Sequence, residues 1–97
     1  MSNRLAALEQ ELREEAAASL GRVAARLEAE IAAVSRLAAE HAAAAPDARP
    51  ALAEAHVAAR ARAELYLWYL QVQREALGLR DHTRLFATFV IPPRLPR

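Results

Sequence analysis

Two histidines, His41 and His56, are the residues of this chain whose type and position come nearest to a chemical site. Their numbers sum to 97. If the segments on either side of the run "AAPDARP" are helices folded into a hairpin centred near residue 48, the two imidazoles face each other close to its tip. Each also lies on the inward row of its own segment, with Glu40 and Glu54 close by in sequence. In a dimer, two such pairs could converge into a metal site or a pH-sensitive cluster, because histidine titrates near neutrality. The spacing weighs against a di-iron carboxylate centre. Bundle sites of that kind place Glu and His three residues apart on one face, and no glutamate here stands three or four residues from any histidine. Glu54 and His56 are separated by about 200° around a helix, Glu40 and His41 by about 100°. Polar residues at a fraying tip are therefore the first expectation, and a metal-binding bundle built on His41, His56, Glu40 and Glu54 is the alternative.

The remaining chemistry is thinner. His82 stands with Arg80, Asp81 and Arg84 in the connection after Gly78. A general acid or base needs a cleft and an orienting partner, and neither is marked, so capping and loop hydrogen bonds are expected. Ser19 and Ser35 fall in a helical pattern, without the strained turn that exposes a nucleophile. Two glycines cannot build a phosphate-cradling loop. With no cysteine there is no disulfide, thiolate or zinc finger. The expectation is a non-enzymatic protein with no cofactor.

The elements that would carry these residues are helical. Ninety-seven residues make one domain, and hydrophobic residues are 55 % of the chain, much of it alanine, the best helix former. Leu5, Leu8, Leu12, Ala16, Leu20, Val23, Leu27, Ile31, Val34, Leu37 and His41 recur every 3.6 residues on average. That is one face of a straight helix from about residue 3 to 44, on the order of 60 Å long. Ser2 or Asn3 can cap it. Pro46 and Pro50 break it, and Pro50 suits the first turn of a second helix, with Asp47 or Arg49 near the cap. Gly78 is the natural stop. So short a loop makes the two helices antiparallel neighbours.

The hairpin register sets Leu27 opposite Leu70, Ile31 opposite Tyr66 and Leu20 opposite Leu77. Leu5, Leu8 and Leu12 then protrude, and "RDHTRLFATFV" can cover them as a short third helix capped by Asp81, its Leu85, Phe86 and Phe89 opposite residues 8 to 12. Gly21, beside the small run "AAAS", would permit an aromatic ring to come close. "VIPPRLPR" favours extended polyproline II. The fold expected is all-α: an antiparallel hairpin of two long helices with a short C-terminal helix, over residues 1–90, and an extended Pro/Arg-rich tail, 91–97.

"LYLWYL" (65–70) is bulkier than a helix with one neighbour requires. One apolar row of the second helix (Leu52, Ala59, Ala63, Tyr66, Leu70, Leu77) serves the first helix. A second (Val57, Ala61, Leu65, Trp68, Val72) points elsewhere, and a two-helix hairpin has nothing to set on it. The expected interface is Leu65, Trp68, Tyr69 and Val72 with Phe86 and Phe89, used in a homodimer that forms a four-helix bundle or in docking on a larger protein; the remaining alternative is that the tail folds back over the row within one copy. Ile91, Pro92, Pro93, Arg94 and Pro96 would dock either on the same or a sister subunit or, as a P-x-x-P segment, in a partner's groove.

Charge excludes other partners. Thirteen basic residues, all arginine, meet 12 acidic ones for a net +1, interspersed as Glu9/Arg13, Arg26/Glu30, Arg36/Glu40 and Arg60/Glu64. Nucleic acid would require clustered basic residues on one surface, and a membrane surface a basic face. No run reaches the roughly 18 apolar residues of a membrane span. Acidic residues come too early for a signal peptide, so a cytoplasmic protein is expected.

Overall fold

The computed structural model describes residues 2–96. Helix α1 runs Ser2–Ala43, a 3-10 turn occupies Pro46–Ala48, α2 runs Arg49–Ala76 and α3 runs Thr83–Thr88, followed by an extended tail. No strand occurs among the described residues, and no helix among them is long and apolar enough to cross a membrane. The molecule measures 69 × 21 × 15 Å with a radius of gyration of 18.3 Å. A compact chain of this length would have about 13 Å, so this is a rod.

Proline chemistry makes the tip. Ala45, held extended by Pro46 (φ −63°, ψ 152°), ends the run of α1. Neither Asp47 nor Arg49 caps α2: Ala48 occupies the cap position, without a side-chain bond. Arg49 works in the other direction, its Nε donating to the Ala44 carbonyl at 3.2 Å and closing the end of α1. At the far end of α1, the Ser2 side chain lies outside the described residues, and Asn3 is already inside the helix.

The expected register holds for Leu27 with Leu70 and Ile31 with Tyr66, while Leu77, expected to face Leu20, stands exposed just past the end of α2. Leu27, Ala63 and Leu70 are buried together, with Leu20, Ile31 and Tyr66 packed against them. Toward the tip, Val34, Leu37 and Ala59 form a second, thinner cluster. Three of the four i,i+4 ion pairs form, at 3.7, 2.9 and 2.6 Å. In place of Arg26, Glu30 takes Arg62 across the hairpin at 3.0 Å. Gly21 is exposed, with nothing within 4 Å of the place a side chain would occupy, so no ring approaches it.

Helix α2 ends two residues before Gly78. That glycine (φ +85°) donates to the Glu75 carbonyl while Leu79 N–H reaches back to Arg74, both at 2.9 Å. This is the paired closure that a left-handed residue allows after a helix. Arg74 then holds the connection, its Nη2 donating to the Asp81 carbonyl at 3.1 Å and its Nε to His82 Nδ1 at 3.4 Å. Accepting on Nδ1 leaves His82 Nε2 to donate to Glu75, 3.1 Å away. Asp81 stands one residue before the cap position and accepts from both the N–H and the hydroxyl of Thr83, at 3.0 and 2.7 Å. Those two donors hold its carboxyl below the ordinary aspartate range.

From here the chain departs from the sequence expectation. Helix α3 does not extend outward over Leu5, Leu8 and Leu12; it turns back onto the hairpin. Leu85 is buried with Leu27, Ala63 and Leu70, and Phe89 and Ile91 pack on the same cluster. Leu5, Leu8 and Leu12 stay exposed. The reason is geometric: a groove between two helices covers more of a leucine than the side of one helix can. The tail continues toward the tip, its Pro92 carbonyl accepting from Arg60 Nε at 2.9 Å.

Candidate functional site

The second apolar row is on the surface. Leu65 is 45 %, Trp68 56 % and Val72 42 % exposed, with Val57 and Tyr69 also open. At about 100° per residue, Leu65, Trp68 and Val72 point roughly 180° away from the buried direction of α2, set by His56, Ala59, Ala63 and Leu70. The row thus faces directly away from α1. The Trp68 and Tyr69 rings lie 5.5 Å apart, tilted by 52°, and Tyr69 in turn is 6.3 Å from Tyr66. Adjacent aromatic contacts of this kind limit ring motion and give the surface a defined shape.

Of the other interface residues expected from sequence, Phe86 is exposed, its ring edge-on to His82 at 6.1 Å. Phe89 is not: it packs half-buried against its own core. Among the tail residues, Ile91 and Pro92 are engaged within the chain, while Pro93, Arg94 and Pro96 remain exposed. Arg74 and Glu75, polar residues near the apolar row, clasp the α2–α3 connection. Sequence reasoning missed Arg60, which anchors the tail. Its only sequence signal was the Glu64 partner one turn away, and that partner gives no hint of Pro92.

The histidines separate into two environments. His56 is buried and His41 half-buried. Glu40 is paired with Arg36, and Glu54 is exposed. Among the described residues, no three or more His, Asp or Glu side chains gather where they could hold a metal ion. A cavity of about 350 Å³ lies between α2 and the tail, lined by His56, Arg60, Glu64, Arg94, Val57 and Leu95 among others. His56 Nε2 is sealed from solvent and meets no partner among the described residues, so it is not presented to anything that enters. Arg60 is already committed to Pro92 and Glu64.

An unpaired buried polar atom costs roughly 1 to 3 kcal/mol. Replacing His56 with leucine, of similar volume, is therefore expected to raise stability by about 1–2 kcal/mol in thermal or denaturant unfolding. A clear loss on His56→Leu would mean that the imidazole has a partner worth keeping.

No family model, curated protein or solved structure matches this chain.

Proposed function

We propose that this chain is a non-enzymatic assembly subunit that self-associates through the Leu65/Trp68/Val72 stripe of α2. One observation carries the reading: three large apolar side chains, about half exposed, share the face opposite the core, and contiguous apolar surface of that kind marks contact sites. The chain's own tail is occupied on another side of α2, by Ile91 on the core and Pro92 on Arg60. Covering the stripe stabilises association by roughly 1.5–3 kcal/mol for each side chain fully buried. Within this reading the C-terminal segment is an internal strap, and exposed Pro93, Arg94 and Pro96 are what a larger partner would find. Light scattering at micromolar concentration is expected to give twice the 10.6 kDa chain mass. A single-chain mass that persists at high concentration overturns the proposal.

A further inference from the structure

The chain exposes a second stripe, and it matches the first. Leu5, Leu8 and Leu12 recur at i, i+3, i+7; so do Leu65, Trp68 and Val72. The former continue the core-facing row of α1 past the end of α2. With α1 beginning at Ser2 and α2 ending at Ala76, level with residue 21 of α1, the overhang is on the order of 30 Å. Building on the self-association proposed above, we infer that the occupant of the α2 stripe is the N-terminal arm of a second copy, exchanged reciprocally.

The register supports this arrangement. Leu27 with Leu70 and Ile31 with Tyr66 share one cluster, so residues 65, 68 and 72 stand level with positions 32, 29 and 25 of α1. Rotate a second copy end for end about an axis crossing the rod between residues 18 and 19. Residue 5 then comes level with the copy's 65, residue 8 with its 68 and residue 12 with its 72. The reversed copy's α2 runs parallel to the first copy's α1, so identical spacings meet in step. The two α2 helices do not collide. Each ends at Ala76, which leaves roughly 7 Å between them end to end along the axis. Exposed Leu77 and Leu79 stand beside that gap. Each α2 is thereby covered by its own α1 on one face and by its partner's arm on the opposite one.

The area suffices. At their observed exposures the six side chains of one contact offer roughly 600 Å², and the two symmetric contacts about 1,200 Å², where specific interfaces begin. Pairing stripe on stripe, as in a compact four-helix bundle, would leave both arms bare. Arm exchange covers all of these residues in one closed, two-fold assembly.

The test uses the full chain. Changing Leu5, Leu8 and Leu12 together to glutamine keeps good helix formers at positions exposed in the single copy, so helix content by circular dichroism should hold. The dimer dissociation constant should rise at least a hundredfold, about the effect of losing a few buried leucines. The chain lacks cysteine, so Leu12→Cys and Val72→Cys chains, which keep Trp68, should form a disulfide-linked heterodimer when mixed and oxidised. Within one copy those positions are about 20 Å apart, far beyond disulfide reach. If the glutamine variant dimerises like the native chain and Val72→Cys links only to itself, the arm is not the occupant, though self-association stands. If the native chain never dimerises, both proposals fall.

Discussion

With Trp68 replaced by alanine, the chain is expected to run as a single copy at concentrations where the native chain is paired. Each dimer would lose two tryptophan side chains. At about 2 kcal/mol for each, that is about 4 kcal/mol, or nearly a thousandfold in dissociation constant. The variant is informative because of where the residue sits. Trp68 is more than half exposed in the single copy, so its own hairpin draws little stability from it, and helix content and unfolding of the isolated chain should barely change. Association lost with the fold retained is the pattern expected of a contact residue. Equilibrium sedimentation across a dilution series measures the first quantity and circular dichroism the second. An unchanged dissociation constant would remove Trp68 from any interface; unfolding in step with dissociation would make it a core residue.

Leu27→Ala should do the reverse. Leu27 is 0 % exposed and packs with Ala63, Leu70 and Leu85, at the level where α1, α2 and α3 meet. Truncating a leucine so enclosed costs about 3 kcal/mol, from lost burial and the cavity left behind. A domain of this size has about 5–15 kcal/mol in total, so the urea midpoint should fall by a large fraction of its native value. Val57→Ala is the contrast: a removal of similar chemistry on an open side chain, expected to change stability by less than about 0.5 kcal/mol. Similar losses at both positions would mean that the core is not centred on Leu27.

Much of this was readable from the chain because the determinants are local and periodic. A 3.6-residue row of leucine and valine on an alanine background dictates a helix and its buried face wherever it packs. Pro46 must interrupt it, since Ala45 before it is held out of the helical region; Arg49 before Pro50, expected to be held out likewise, instead keeps helical angles (φ −63°, ψ −42°) in the first turn of α2. Gly78 can take a positive φ without steric cost, and it closes α2. The antiparallel register then follows from loop length alone, and with it the unpartnered row Leu65/Trp68/Val72. That row was visible as a surplus of bulky residues over what one neighbouring helix can hide.

The path of the last twenty residues was not readable in that way. The composition of "RDHTRLFATFV" is compatible with α3 running outward along the bare arm of α1 or doubling back. No spacing within it separates the two. The choice rests on contacts distant in sequence: Arg74 to the Asp81 carbonyl, Leu85 into the groove beside Leu27 and Leu70, and Arg60 to Pro92. Glu30 shows the same principle at smaller scale, taking Arg62 from the other helix over Arg26 from its own. His56 was expected first as a polar residue at a fraying tip; it is buried instead, and the same doubling back lays the tail beside it. Local periodicity determines which face of a helix is buried; only the assembled surfaces, by offering one groove deeper than another, decide what is buried there.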